Sequence, residues 1–222
     1  MISLDRVTKS YMTLTGRKVV FRDLSFDIPD DVNVGLIGHN GAGKTTLMRL
    51  LGAVDLPDSG NIITRGRLSW PVGLRGTLQK NLTGRENVKF ACRIQGIRHK
   101  GMQQKICYVQ EFADVGDHFD LPVSTYSSGM VARVAFGTSM AFDFDYYLID
   151  EVMAVGDASF KRKSQQVFKE RLQRSKVILV SHNMELVRNM SDVIVHLHRG
   201  QVTVYENVDR GIAAYQEVGG ER

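Results

Sequence analysis

The feature that most constrains the fold is a glycine-rich segment that follows a short apolar run. Residues 38–45 have the sequence Gly-His-Asn-Gly-Ala-Gly-Lys-Thr, which fits the pattern G-x-x-x-x-G-K-[ST]. The apolar run at 32–37 predicts a buried strand, and the residue spacing at 44–51 predicts a helix. Glycines let backbone N–H groups turn inward around phosphate oxygens, and the following helix directs its positive N-terminus at the same anion. This loop, in this context, predicts a nucleotide site.

The residues of the loop have separate expected roles. Lys44 is predicted to reach the β- and γ-phosphates, and the Thr45 hydroxyl is predicted to be a ligand of Mg²⁺. The residues predicted to contact the nucleotide here are Gly38, His39, Asn40, Gly41, Ala42, Gly43, Lys44, Thr45 and Thr46. The alternative is a glycine-rich turn with an incidental lysine, and the strand and helix that flank the loop weigh against it.

Three polar residues follow apolar runs later in the chain. Asp150 and Glu151 follow the run at 146–149, and His182 follows the run at 177–180. Because ligand sites of open α/β sheets collect at the carboxyl ends of the strands, these residues are expected near the loop. We expect Asp150 to hold the Mg²⁺ shell, Glu151 to act as general base on the attacking water, and His182 to contact the γ-phosphate or align that water. Alone, such residues are more often structural, and the loop is what favours a catalytic role.

The remaining segments predict an α/β fold with a mainly parallel sheet core. Short alternating apolar segments in 1–27 predict antiparallel strands, and residues 193–205 predict a hairpin. Between these ends, strand patterns alternate with helical patterns, which implies a parallel sheet. A mostly helical block at 77–142 interrupts the alternation. We expect a single domain, 1–222, with that block as an inserted helical subdomain.

Composition limits the class of protein. The chain has 222 residues and 43% hydrophobic content, enough to bury the core of one domain. It has neither an apolar run of about 18 residues nor the apolar segment of a signal peptide, so we expect any membrane role to depend on a partner. Cys92 and Cys107 form no CxxC pair and predict reduced thiols. The net charge of +5 suits an anionic membrane surface or nucleic acid, without deciding between them.

The order of these motifs resembles that of the ATPase subunits of ABC transporters over nearly the whole chain. The resemblance implies the P-loop NTPase fold of ABC ATPases, with ATP and Mg²⁺ as cofactors and an N-terminal antiparallel β subdomain. It also matches residues 126–130 to the signature loop, usually LSGGQ, which opens a helix and clasps the γ-phosphate of ATP in the opposite subunit. The residues at that loop are Ser127, Ser128, Gly129 and Met130. Because Ser128 and Met130 replace the usual glycine and glutamine, we expect a working but altered clasp.

The resemblance further implies a head-to-tail homodimer with two ATP molecules sandwiched at its interface. Asp157 matches the loop that communicates across that interface. Tyr11 matches the aromatic residue that stacks on adenine, and an ordinary strand tyrosine is the open alternative. The family's Mg²⁺-contacting glutamine is missing from its usual place, which Leu74 occupies, and Gln79 is the nearest substitute.

The signature loop and the segments 69–71 and 82–88 look like those of the ATPases of capsular polysaccharide exporters. Some O-antigen and teichoic acid relatives carry a C-terminal carbohydrate-binding domain, and the residues after His182 are too few for one, which favours the capsule type. The resemblance implies a separate permease dimer, periplasmic and outer-membrane export proteins, and a location on the cytoplasmic face of the inner membrane. Segment 73–100 is expected to dock on the permease, with a solvated helix face as the alternative. The candidate docking residues are Arg85, Glu86, Phe90 and Arg93.

Other functions stay open to different degrees. An exporter of O-antigen, teichoic acid, peptides or drugs is the main alternative, because substrate specificity lies in the permease. A soluble ABC ATPase of translation or DNA repair could use the basic residues 161–163 to bind nucleic acid. Such proteins usually carry two cassettes or long coiled coils, so we expect no direct nucleic-acid partner. A non-catalytic module is disfavoured because the predicted lysine, carboxylates and histidine are all present.

Overall fold

The chain folds into eight strands and seven α-helices in a computed structural model that describes residues 1–72, 78–150 and 158–219. The strands are β1 (Ile2–Thr13), β2 (Gly16–Ile28), β3 (Val34–Gly38), β4 (Ser59–Thr64), β5 (Tyr146–Asp150), β6 (Lys176–Val180), β7 (Val193–His198) and β8 (Gln201–Tyr205). The α-helices are α1 (Lys44–Leu51), α2 (Gly84–Ile94), α3 (His99–Ala113), α4 (Ser128–Met140), α5 (Ala158–Leu172), α6 (Met184–Met190) and α7 (Val208–Gly219). Two 3₁₀ turns, Gly116–Asp120 and Val123–Thr125, lie between α3 and α4.

The described residues form two compact units. The first comprises 1–71, 144–150 and 175–219, and the second comprises 72, 78–143 and 158–174. The second unit therefore includes α5, which follows β5 in the chain, as well as the helices of the predicted insert. Across the ranges that the structure describes, no helix combines the length and apolar character needed to cross a bilayer.

The first unit contains two sheets. A three-stranded antiparallel sheet has the order β2-β1-β4, and a five-stranded sheet has the order β5-β6-β3-β7-β8. The first four strands of the larger sheet are parallel, and β8 is antiparallel to β7. The α/β fold, the antiparallel N-terminal strands and the C-terminal hairpin are therefore confirmed.

The central strand of the larger sheet is β3, which pairs with β6 on one side and β7 on the other. All five of its residues are buried, including the apolar residues Val34, Leu36 and Ile37. A strand that is covered on both faces is expected to be continuously apolar, as this one is. The central position of β3 fixes where the glycine-rich loop emerges from the sheet.

The second unit is helical and is held by an aromatic core. The ring of Phe112 in α3 lies 5.7 Å from that of Phe136 in α4 and 5.3 Å from that of Phe160 in α5, measured between centroids. Helix α2 begins with a capping box, in which the Thr83 hydroxyl accepts from the Glu86 amide and the Glu86 carboxylate accepts from the Thr83 amide. The capping box therefore fixes the start of α2, and the rings pack α3, α4 and α5 together.

A partly buried ion pair connects β1 with the segment that follows α1. Lys9 is 7% exposed, and its ammonium group donates to Asp55 Oδ1 at 2.7 Å and to the Leu56 carbonyl at 2.7 Å. The hydrogen bond to Asp55 raises the pKa of Lys9 above its ordinary value, although burial opposes this. Burial raises the pKa of Asp55, but hydrogen bonds from Lys9, Tyr11 and the Leu56 amide outweigh it and leave that pKa below its ordinary value. Both shifts favour the charged pair.

Removal of the carboxylate from this pair is expected to destabilise the fold. In Asp55→Ala, Lys9 stays buried without its main counter-charge, which should lower the free energy of unfolding by about 3 kcal/mol. Urea denaturation of the full chain measures this value. Asp27→Ala, at an exposed position of β2, is the matched control and should change it by less than about 0.5 kcal/mol. Equal, small losses in both variants would contradict the assignment.

A buried histidine gives the larger sheet a pH dependence. His196 lies in β7 opposite Ile37 of β3, and it is 5% exposed. Burial, followed by the proximity of His198 and His39, lowers the pKa of His196 below 6.5. The folded state therefore keeps this ring neutral at a pH where the unfolded chain already binds a proton. Stability should fall as the pH drops from about 6.5 toward the folded-state pKa.

Replacement of this histidine is expected to remove its share of that pH dependence. In His196→Leu, the free energy of unfolding should fall less steeply between pH 7 and pH 5 than in the wild type, because no proton is taken up at this position on unfolding. Urea denaturation at several pH values measures the slope. If the free energy of unfolding fell with pH at the same slope in both proteins, His196 would have the same pKa in the folded and unfolded states.

Candidate functional site

The glycine-rich loop connects the end of the central strand with the first helix. Strand β3 ends at Gly38 and α1 begins at Lys44, so the predicted strand, loop and helix are all present. Asn40, Gly41 and Thr45 are exposed, whereas Leu47 and Met48 of the helix are buried in the core. The loop therefore lies at the carboxyl edge of the parallel sheet, where open α/β sheets bind ligands.

Gly43, the residue before α1, has a conformation and a position that only glycine fits. Its φ is 105°, in the left-handed region. A Cβ atom there would lie 2.7 Å from Cζ of the buried Phe21 and 2.9 Å from Cγ1 of Val20. The loop therefore packs directly on β2, and Gly43 allows the chain to turn into α1 at this point.

The ammonium group of Lys44 is held over its own loop. Lys44 Nζ donates to the Gly38 carbonyl at 2.5 Å and to the His39 carbonyl at 3.1 Å. The Ala42 amide also donates to the His39 carbonyl, at 3.1 Å. The first turn of α1 carries neither an acidic residue nor a side-chain cap, so its N-terminal amides and this cation produce a positive field at the loop. The residues present suit the phosphates of a nucleotide.

Asp150 and His182 lie at the same edge of the larger sheet. Asp150 is the last residue of β5 and is level with Val180 of β6, which is level in turn with Leu36 of β3. With a strand spacing of about 4.8 Å, the Asp150 backbone lies roughly 10 Å from β3. His182 follows β6, between the other two strands in the sheet order, and is exposed. The register therefore places His182 after the strand beside β3, and Asp150 one strand further away at the same edge of the sheet.

The oxygen groups at this edge suit a magnesium ion. Thr45 presents an exposed side chain in the first turn of α1, and Asp150 ends a strand of the same sheet with partial exposure. Hydroxyl and carboxylate oxygens are hard ligands of the kind that Mg²⁺ takes up together with phosphates and water. The roles of Thr45 and Asp150 as Mg²⁺ ligands remain predictions.

Tyr11 is tied to the helix that follows the loop. Its hydroxyl donates to Asp55 Oδ2 at 2.8 Å and is also hydrogen-bonded to Thr46, in the first turn of α1. The Lys9 ammonium lies 5.0 Å from the centroid of the Tyr11 ring. Burial and the hydrogen bond with Asp55 raise the pKa of Tyr11 above its ordinary value. The structure thus places Tyr11 next to the predicted nucleotide residues, and its contact with adenine remains a prediction.

The predicted signature loop lies in the second unit and begins α4. Ser127 is the N-cap residue, and its hydroxyl accepts from the Met130 amide at 3.2 Å. Ser128 and Gly129 have no positive φ and continue into the helix. The position that Ser128 occupies therefore needs no glycine conformation. The hydroxyl hydrogen of Ser127, which is exposed, can still be donated to an anion at the helix N-terminus.

Gln79, the predicted substitute for the Mg²⁺-contacting glutamine, also lies in the second unit. Its amide donates to Asn87 Oδ1 at 2.7 Å, and its carbonyl accepts from Asn87 Nδ2 at 3.1 Å, while the residue itself is exposed. Leu74, Glu151 and Asp157 lie outside the described residues. The predictions for Gln79, Glu151 and Asp157 stay predictions.

The four candidate docking residues divide into two pairs. Arg85 is engaged within the second unit, since its guanidinium makes two hydrogen bonds to Asp120, at 2.5 and 2.9 Å. Glu86 closes the capping box of α2. Phe90 is 46% exposed and Arg93 is also exposed. Phe90 and Arg93 are therefore the two candidates that stay available for a partner.

The chain is similar to known transport proteins over nearly its whole length. The family model described as "ABC transporter" matches residues 21–154. The polysialic acid transport ATP-binding protein KpsT of Escherichia coli is 50% identical over 218 residues, which are 98% of this chain and 99% of that protein. The capsule polysaccharide export ATP-binding protein CtrD of Neisseria meningitidis serogroup B is 39% identical over 98% of this chain and 100% of its own length.

Solved structures share the fold at lower identity. The ATP-binding cassette MJ0796, in a dimeric post-hydrolysis state bound to ADP and Pi, matches with a TM-score of 0.69 and 21% sequence identity. The match covers 91% of this chain and 96% of that one. This likeness supports the fold of the chain, which is that of an ATP-binding cassette.

Substitutions at Gly43 and Gly41 distinguish the cost of a left-handed backbone from the cost of a packing clash. Gly43→Ala combines a left-handed φ with a clash against Phe21, so it should destabilise the chain by about 1–2 kcal/mol from the backbone and about 1–3 kcal/mol from overpacking. Gly41→Ala is the control, because Gly41 has a φ of 83° but open space around its Cβ position. Gly41→Ala should therefore lower the free energy of unfolding by the backbone contribution alone. Urea denaturation and MgADP titration of both variants measure the difference, and equal losses would contradict the packing account.

Proposed function

This chain belongs to the ABC transporter family, and we propose that it is the ATP-hydrolysing subunit that powers export of a capsular polysaccharide. The observation that carries the substrate class is the 50% identity, over 98% of this chain, with a polysialic acid transport ATP-binding protein. The complete phosphate loop at the edge of the sheet supports the ATPase role.

ATP binding begins with an exchange of partners at the loop. Lys44, which is held on the carbonyls of Gly38 and His39, can turn from them to the β- and γ-phosphates without a movement of the helix. The backbone amides of 40–46 surround the phosphates, and Tyr11 supports the adenine. Thr45 and Asp150 would hold Mg²⁺, which neutralises phosphate charge when it is bound.

Hydrolysis uses the residues that follow β5 and β6. Glu151 comes directly after Asp150 and acts as the general base that takes a proton from the attacking water. His182 lies at the end of the neighbouring strand, where it can orient that water or contact the γ-phosphate. The positive field of Lys44 and of the α1 N-terminus stabilises the charge that accumulates on the phosphate oxygens.

The cycle depends on a second copy of the chain. Ser127, Ser128, Gly129 and Met130 of one subunit contact the γ-phosphate held by the other, with the N-terminus of α4 directed at the anion. Asp157 communicates across the interface. ATP therefore favours the closed homodimer, and loss of the γ-phosphate removes those contacts and favours opening.

The chain works with a separate permease dimer at the cytoplasmic face of the inner membrane. Phe90 and Arg93, the exposed pair on α2, are the docking residues that we propose within segment 73–100. Periplasmic and outer-membrane export proteins take the polysaccharide onward. Opening and closing of the ATPase dimer moves the permease between its two conformations.

Replacement of the general base tests both halves of the proposal. In the native host, Glu151→Gln should abolish surface polysaccharide and cause polymer to accumulate inside the cell, since transport stops while synthesis continues. The purified variant should hydrolyse ATP roughly 100- to 10,000-fold more slowly. Glu206→Gln, at an exposed position after β8, is the matched control and should keep both export and hydrolysis.

The two readouts distinguish the two parts of the proposal. Normal surface polysaccharide in cells that contain the Glu151→Gln protein would show that the substrate assignment is wrong. Normal ATP hydrolysis by the purified variant would show that Glu151 is not the general base.

A further inference from the structure

Three rings that take no part in the mechanism above cluster with His39 of the phosphate loop. The ring of Tyr215, in α7, lies 5.1 Å from the ring of His39 in the loop and 5.9 Å from that of His196 in β7, measured between centroids. His198 lies 6.5 Å from His39 and 6.2 Å from His196. Tyr215 therefore contacts both the loop and the strand next to β3.

The close packing of α7 on β7 positions Tyr215 beside His39 and His196. A Cβ atom at Gly211 would lie 2.6 Å from Cβ of Ile194, so glycine at this position lets the helix approach the strand closely. Tyr215 follows Gly211 by four residues, on the same face of the helix, and His196 follows Ile194 by two residues, on the same face of the strand. The Gly211–Ile194 contact thus sets the register that places Tyr215 at His196.

The anchoring of the start of α7 and the character of the ring contacts indicate that Tyr215 has a packing role. Arg188 of α6 donates to Asp209 in the first turn of α7 at 2.7 Å, and Ile212 is buried. The Nε2 atoms of His39 and His196 are buried and have no hydrogen-bond partner among the residues that the structure describes. These rings therefore meet Tyr215 through their packed surfaces, and the loss of the Tyr215 ring should loosen them.

His39 connects this cluster with the ammonium group that is expected to bind phosphate. Its ring contacts Tyr215, and its carbonyl accepts from Lys44 Nζ and from the Ala42 amide. Because the ring and the carbonyl belong to one residue, a ring that is packed against Tyr215 limits the backbone conformations open to His39 and to the carbonyl that holds Lys44.

We propose that Tyr215 is a positioning residue for nucleotide binding, which holds the phosphate loop through His39 in the conformation that receives the phosphates. The inference rests on the proposed function of the loop as an ATP site. Without the ring, the loop spends part of its time in other conformations, and the apparent affinity falls by the fraction that is competent. An aromatic ring at this position is sufficient, because the contacts with His39 and His196 are ring contacts.

Nucleotide titration of the full chain tests the proposal, with MgADP and Mg-ATPγS as the probes. Tyr215→Ala should weaken binding roughly 3- to 10-fold, the usual value of an aromatic pair expressed as affinity. Tyr215→Phe should restore wild-type affinity. Gln216→Ala, at the exposed neighbouring position of α7, is the matched control and should bind like the wild type. Circular dichroism and urea denaturation of each variant establish that the titrated protein is folded.

A double-mutant cycle with His39→Ala tests the route of the effect. If Tyr215 acts through His39, the double variant should bind no more weakly than His39→Ala alone. Losses that add fully would overturn the proposal, as would unchanged affinity in Tyr215→Ala or a failure of Tyr215→Phe to restore it. A wild-type chain that binds neither nucleotide would instead overturn the proposed function of the loop.

Discussion

The constraint on which the proposed ATP site depends is a loop that brings the backbone amides at the start of α1 and the ammonium of Lys44 to one place. The amides can surround an anion only if the loop turns inward, and Gly43 makes this turn directly against Phe21. The loop can face solvent while its base is buried because β3 lies at the centre of a parallel sheet. The larger sheet and β2 therefore act together to hold a cluster of donors that would otherwise repel one another.

Two side-chain networks hold the surroundings of this loop. The Lys9–Asp55 pair connects β1 with the segment after α1, and Tyr11 extends the network to Thr46. The Tyr215 cluster connects α7 and β7 with His39. Neither network supplies a group that reacts in the proposed mechanism. The first network reaches α1 at Thr46, and the second reaches the phosphate loop at His39. Substitutions in either network should therefore change both the stability of the fold and the affinity for ATP.

The loop and its immediate neighbours could be predicted from the sequence, whereas several supporting elements could not. The helix at 44–51 was predicted with the bounds that the structure has, because a buried strand, a glycine-rich turn and a helical pattern occur in direct succession. Strand β4 was missed because its residues are mostly exposed, so they carry no alternating apolar signal. Helix α7 was not predicted either, although the sequence carries a helix signal there. Asn207 caps the helix, and Ile212 and Tyr215 follow Val208 at helical spacing. The ring contact between Tyr215 and His39 depends on the register of α7 on β7, and no local pattern encodes that register.

Backbone amide hydrogen exchange, with and without MgADP, tests the central claim most directly, because the amides of the loop are themselves the proposed ligands of phosphate. Exchange should slow strongly across residues 40–46 when the nucleotide is added, while helices α2 and α3 of the second unit keep their exchange rates. Unchanged exchange across residues 40–46 at a nucleotide concentration that saturates the protein would contradict the claim, because the nucleotide would then be bound elsewhere.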